Sequence, residues 1–157
     1  MYKRILINFI VILFLCMSAI AFGIYNTAKT EYYNVMENRL METAQLIRLD
    51  IQTIEDFQSI NKQRKFNRFS GVTNSRLTII SEDGQVHFDS EADSSTMKNH
   101  SNRPEIQGAL NGTATMSTRF SHSLDVNMMY VAIPIEIDGE IIGAIRSSIP
   151  LHTLKNV

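Results

Sequence analysis

The sequence predicts an α+β protein with a transmembrane helix at its amino terminus, a long membrane-proximal helix, and a five-stranded antiparallel sheet crossed by a short helix. Three observations carry this. Residues 5–28 hold no charged side chain. A spacing of three and four between apolar residues then runs from Tyr33 to Ile54. From Arg76 the period becomes twofold, and two Asp-Gly pairs, Asp83-Gly84 and Asp138-Gly139, fall where hairpin turns belong.

Composition excludes several classes. Fifteen basic and sixteen acidic residues in 157 leave a formal charge of −1, without the basic excess that nucleic-acid binding through phosphates needs. A hydrophobic content of 44% excludes wholesale disorder. The single cysteine, Cys16, excludes an intramolecular disulfide and any multi-cysteine metal or iron–sulfur site.

Residues 1–28 read as a cytoplasmic tip and a membrane anchor. The 21 residues Ile5–Tyr25 are broken only by Asn8 and Ser18 among polar side chains. As a helix they span about 31 Å, the thickness of a bilayer's hydrocarbon core. Lys3 and Arg4 precede the run, so the positive-inside rule keeps the amino terminus in the cytoplasm and exports the chain beyond Tyr25. This describes a single-pass protein of the cell membrane. The competing reading is a cleaved signal peptide, with Ala19-Ile20-Ala21 as the small-residue cleavage site; it too exports the remainder, as a free-standing secreted binding protein.

Residues 29–60 read as one long helix. Its apolar stripe is Tyr33, Met36, Leu40, Ala44, Ile47, Ile51 and Ile54, with most charges elsewhere and no Gly or Pro inside. Two readings stay open: the stripe packs on its own domain, or it forms the seam of a parallel homodimer. Residues 61–75, with Lys62, Arg64, Lys65 and Arg68 around Phe66 and Phe69, read as a solvated connecting loop rather than a lipid-headgroup or nucleic-acid patch.

Residues 76–151 read as the sheet. Strands are expected at 76–81 and 85–89 around the first Asp-Gly turn, near 113–122, and at 128–137 and 140–149 around the second. Between them lies a polar stretch, 90–102, and a short helix opened by Pro104 and closed by Gly112. The last two strands are apolar on both faces, so the sheet needs two covering layers: the long helix on one side and the 95–112 segment on the other. This order matches the topology of an extracytoplasmic PAS-like (Cache-type) sensor. Residues 152–157 read as a truncated tail.

Local strings sharpen the resemblance. They are residues 79–86 (IISEDGQV), Asp89-Ser90, residues 99–106 (NHSNRPEI), Ala109-Leu110-Asn111-Gly112, Arg119-Phe120-Ser121, residues 130–135 (YVAIPI) and 145–151 (IRSSIPL). With the anchor, they resemble the outer sensor region of phosphate-regulon (PhoR-type) sensor histidine kinases. The resemblance implies a dimeric membrane receptor of a two-component system. In it an outer domain biases a helix pair, and a cytoplasmic kinase phosphorylates itself on histidine and then a response regulator. The sequence stops at Val157, where a second membrane helix would begin in that family. His87, His100, His122 and His152 lack the acidic neighbour of a phosphoacceptor motif, and no G-x-G phosphate cradle is present. The expectation is a non-enzymatic sensing half, without catalytic residues, cofactor or metal. The sensor of a chemoreceptor or of a cyclic-dinucleotide synthase is the alternative output.

The resemblance places a ligand cavity between the sheet and the loop and helix that cross it. Arg119 and Arg146 lie within predicted strands, where an unpaired guanidinium is costly to bury. Facing inward, they would clamp an anionic ligand. Tyr130 shares a strand face with Ala132 and would line the same space, with His100 and Arg103 closing it from the loop. The alternative is that each arginine pairs with a carboxylate, Arg103 for example with Glu105 or Asp89, and pins the loop. Other chemistry is weaker. His87 and Asp89 are expected to share one strand face at i, i+2, and His100, His122 and Asp125 lie in polar segments, so a metal would need two or three of these to converge; no Gly-x-Ser-x-Gly elbow exists. Asp89 with Asp93, and Asp138 with Glu140, read as turn and surface acids. The signal itself is left open as a small molecule, a cell-wall component or a protein.

Overall fold

A computed structural model describes residues 2–51, 53, 60–121 and 125–151. Among the described residues three helices, a 3-10 turn at Ser94–Thr96 and five strands follow one another as α1 (Tyr2–Arg48), α2 (Ile60–Thr73), β1 (Arg76–Ser81), β2 (Val86–Asp89), α3 (Pro104–Leu110), β3 (Thr115–Ser121), β4 (Val126–Ile137) and β5 (Glu140–Pro150). The strands form one antiparallel sheet in the order β2-β1-β5-β4-β3.

The chain divides into two units, 1–36 and 37–157. The first is helical, long and apolar enough to cross a membrane, and it leaves side chains such as Ile5, Phe9, Leu13, Phe14 and Phe22 exposed.

In the second unit the sheet buries both faces. Alternation assigns Leu77, Ile79, Ile133, Ile135 and Ile145 to one face, where they pack with Ala44 and Ile47 of α1, Ile51, and Phe66 of α2. Leu40 is also fully buried. A helix with one apolar stripe can cover one partner, and here the sheet takes it. Leu40, Ala44, Ile47 and Ile51 are therefore core residues, which corrects the seam reading at those four positions. Tyr33 and Met36 are half-buried, and Ile54 lies outside the described residues.

Two further expectations are corrected. The helix of 29–60 ends at Arg48, where Leu49 and Asp50 turn. Most of the stretch expected to be a loop is α2, whose Phe66 is 1% exposed and meets Phe88 edge-on with ring centroids 5.7 Å apart. Phe66, Phe69 and Thr73 share one side of a helix at spacings of three and four, and the intervening basic residues hide that pattern. Asn74, with φ of 50°, ends α2 in the left-handed conformation, and the Ser75 N–H returns to the Ser70 carbonyl at 3.3 Å.

The hairpins obey their turn chemistry. Asp138 (φ 53°) and Gly139 (φ 84°) both take the positive φ of a type I′ turn. Pro134 is accommodated within β4 because β3 pairs with β4 only as far as Ala132, so the missing N–H faces no neighbouring strand there.

Candidate functional site

The second sheet face is divided by its residues into two halves. Ile80, Ala132 and Ala144 make an apolar half that Ile106 and Ala109 of α3 cover. The adjoining half is polar. Register aligns Asp89, Thr78, Arg146, Ala132 and Thr115 across the five strands, and beside them Arg76, Ser148, Tyr130 and Ser117. Arg119 lies two residues beyond Ser117 on the same face of β3.

The packing of α3 aims Glu105 at this polar half. Gly108 lets the helix approach β3 closely: a Cβ there would collide with the Thr115 side chain. Ile106 and Ala109 fix the helix over the apolar patch, and Glu105, in the first turn, is fully buried. Its carboxylate accepts from Ser117 Oγ at 2.6 Å, Arg119 Nη2 at 3.2 Å and Arg146 Nη1 at 3.4 Å. Arg146 also donates from Nη2 to Thr78 Oγ1 at 3.1 Å, and Thr78 donates to Asp89 Oδ2 at 2.8 Å. Arg76 Nε closes the chain on Asp89 at 3.0 and 3.1 Å. The Tyr130 ring lies under both inner guanidiniums, 3.9 Å from Arg119 Cζ and 5.1 Å from Arg146 Cζ.

The polar loop is tied over the same half through the β1–β2 turn. Gly84 (φ 85°) leaves room for Asn99 and Ser101, and its carbonyl accepts the His100 N–H at 2.8 Å. Asn99 Nδ2 donates to the Asp83 carbonyl at 2.7 Å. Asp93 caps the 3-10 turn, and Asp89 Oδ1 accepts the N–H groups of Glu91 and Ala92 at 3.0 and 3.1 Å.

Charge at the site is unbalanced. Arg119 and Arg146 both meet Glu105, while Asp89 is engaged by Arg76. Burial, and then the fields of Arg146, Arg103 and Arg119, hold the His100 pKa down at about 4, so the imidazole is neutral at pH 7. For Glu105 burial is the largest single influence and acts upward. The Ser117 hydrogen bond, its own backbone N–H and the two arginines together outweigh it, and the carboxyl stays below its usual range. The Nε atoms of Arg103, Arg119 and Arg146, Nδ1 of His100 and Oγ of Ser148 are buried without a hydrogen-bond partner among the described residues.

Of the five candidate residues, Arg119 and Arg146 lie against the Tyr130 ring, and the charges of Arg146, Arg103 and Arg119 reach His100. The carboxylate-pairing alternative holds for Arg119 and Arg146, with Glu105 as the partner of both. Sequence reasoning missed Thr78, Ser117 and the central place of Glu105. The available signal was parity: Ser117 and Arg119 share a face, as do Arg76 and Thr78.

Asp89 is corrected from a surface acid to a buried structural one, with its side chain 0% exposed. It also does not share a face with His87. A bulge pairs Ile79 with Phe88 but Ile80 with Val86, so Val86 and Asp89, three residues apart, point the same way and His87 is exposed. Asp125 is exposed in a turn with φ of 55°, and His122 lies outside the described residues. Among the described residues no three metal-ligating side chains come together.

Comparison with known proteins agrees with this geometry. A family model described as single Cache-like matches residues 30–150. No curated protein matches the chain. Among solved structures, the sensor domain of the V. cholerae histidine kinase DctB superposes with a TM-score of 0.67 at 17% identity, over 78% of this chain and 52% of that one. The sensory domain of the Campylobacter jejuni chemoreceptor Tlp3 gives 0.59 at 16%, over 77% and 54%. The ligand-binding domain of the Pseudomonas aeruginosa amino acid chemoreceptor PctC, in complex with GABA, gives 0.58 at 10%, over 71% and 55%. The chain spans about half the length of these solved domains.

Proposed function

Because the chain belongs to the single Cache-like family, we propose that it is the signal-sensing part of a membrane-anchored receptor, held outside the cytoplasm by residues 1–28. The observation that carries this reading is the joining of two features in one continuous helix, α1: an uncharged, exposed apolar segment and the residues Ala44 and Ile47 that cover the Cache-type sheet. The receptor is of the histidine-kinase type, on the strength of the resemblance of residues 79–151 to phosphate-regulon kinases, and the fold likeness to the DctB sensor domain is compatible with it. Phosphotransfer would then belong to a cytoplasmic region with its response regulator, since no catalytic domain is evident among the described residues. The fold likeness to Tlp3 and PctC favours a chemoreceptor as the second reading.

The signal in this proposal is a small molecule, the class that the PctC complex with GABA represents. It is met by His100, Arg103, Arg119, Tyr130 and Arg146. Occupancy there alters how the sheet packs on α1, and a homodimer passes that change on as helix rotation or register. The gene sequence beyond codon 157 tests the output. A second apolar span leading into a phosphoacceptor-histidine helix is the expected result; a methyl-accepting coiled coil favours the chemoreceptor, and an immediate stop codon overturns both.

A further inference from the structure

We infer that the Glu105 carboxylate occupies the seat of an exogenous oxyanion, a carboxylate or phosphate group, which binds Arg119 and Arg146 in its place and so frees α3 from the sheet. The inference rests on the sensing role proposed above and names the ligand class of that site.

Three observations carry it. First, the pocket is built for more negative charge than it contains. Arg119 and Arg146 share one carboxylate, and Arg146 is only 3% exposed. Second, its donors are not exhausted. The Nε atoms of Arg119 and Arg146 and the Ser148 hydroxyl are buried and without a hydrogen-bond acceptor among the described residues, and all three belong to this sheet face. Buried donors are almost always paired in native proteins, so a cluster of unpaired ones marks a seat that Glu105 fills incompletely. Third, Glu105 meets the arginines at 3.2 and 3.4 Å, longer than the roughly 2.8 Å of a well-formed charge-assisted bond. Only its Ser117 contact, at 2.6 Å, is short.

The two guanidiniums are meanwhile held in place without Glu105, by the Tyr130 ring and, for Arg146, by Thr78. A compact oxyanion needs no reorganisation of them to bind. Glu105 is the one tie between α3 and this polar half that can be exchanged without breaking the strand register. Ile106 and Ala109 hold the helix only on the apolar half. Ligand exchange at one carboxylate therefore changes what fastens a whole element, which is what a sensor requires.

The test uses the full chain in detergent micelles, as wild type and as Glu105→Ala. Thermal unfolding is measured in formate, acetate or inorganic phosphate against chloride at matched ionic strength, and the His100 pKa is measured by NMR. In chloride the variant is expected to melt below wild type. Formate, acetate or phosphate restores it saturably, with wild type needing at least tenfold more anion because Glu105 must leave. In the variant the bound anion also raises the His100 pKa, since it restores the negative charge that Glu105 sets against Arg146, Arg119 and Arg103, the charges that hold that pKa down. The anion that saturates at the lower concentration identifies the headgroup as carboxylate or phosphate. Any result short of both rescue of the variant and a raised His100 pKa in it overturns the inference. If the variant does not fold, the melting of wild type against anion concentration decides alone: a saturable rise specific to the oxyanions supports the inference, and no rise overturns it. The sensing role is tested separately, by the gene sequence, so either reading can fail without the other.

Discussion

Glu105 and Arg146, 41 residues apart in sequence, meet at 3.4 Å with side chains 0% and 3% exposed, and this contact joins α3 to the centre of the sheet. Strand β5 supplies the arginine from a position flanked by Thr78 and Ala132. Helix α3 supplies the acid because Gly108 lets it lie close to Thr115.

Breaking this pair from the acid side leaves Arg146 charged and buried. Glu105→Gln is expected to lower the unfolding free energy by about 3 kcal/mol or more. Arg119→Lys, at a side chain 26% exposed, is expected to cost about 1 kcal/mol. Urea unfolding of the micelle-bound chain, monitored by circular dichroism, measures both; equal effects would contradict the ranking.

Acid should act through two groups. The His100 pKa is depressed in the folded chain, from 6.5 to about 4. The unfolded chain therefore binds the proton first as pH falls, and the stability that neutral His100 contributes above pH 6.5 is lost between the two values. Glu105, also depressed, adds its own loss below the ordinary carboxylate range. The melting temperature is expected to decline from pH 6.5 to pH 4, and less steeply in His100→Asn. An imidazole titrating at its ordinary value would contradict the placement of His100.

The two turn glycines should respond differently to alanine. At both, positive φ costs about 1 kcal/mol. Gly139 faces open space, so the cost ends there. At Gly84 the new methyl would lie 2.6 Å from the Ser101 backbone nitrogen and 2.5 Å from Asn99 Oδ1. Gly84→Ala should therefore also detach the loop that carries His100. Proteolysis within 90–102 is expected to accelerate in Gly84→Ala and not in Gly139→Ala.

Helix α1 offers a test of which residues it commits to the core. In a Cys16→Ser background, cysteines at Leu40, Ala44 and Ile47 should resist maleimide in the folded chain. Those at Leu46 and Leu49, 53% and 66% exposed, should react. Disulfide crosslinking of copies through 40, 44 or 47 would contradict the burial. A dimer made through this helix must use its other side.

Where local pattern and global packing agree, the sequence was legible. Alternation and the Asp-Gly pairs specify the sheet, and Pro104 with Gly112 brackets α3. Helix α2 was not, because Lys65 and Arg68 dilute a stripe of only two phenylalanines and a threonine. The facing of Asp89 was hidden by a bulge that shifts parity at His87, an insertion visible only once β1 and β2 are paired. Arg119, Arg146, Tyr130, His100 and Arg103 could be gathered from strand parity and the loop's place in the order. The centrality of Glu105 could not, since an acid in a helix's first turn is ordinary there for reasons of the helix dipole alone. The charge on the opposing face, Arg76, Arg119 and Arg146, was the sign that a buried acid was owed to it.

The two ends of the membrane helix lie on opposite sides of the bilayer if the Cache domain faces outward, and cysteine labelling distinguishes the sides. In Cys16→Ser, a cysteine replacing Lys98, an exposed residue of the polar loop, is compared with one replacing Lys3 in intact cells treated with a membrane-impermeant maleimide. The expected result is labelling at 98 before permeabilisation and at 3 only after it, on a product whose intact mass retains residues 1–28. Labelling at 3 with protection at 98 would place the Cache domain in the cytoplasm and contradict the proposal that it is an outward-facing sensor.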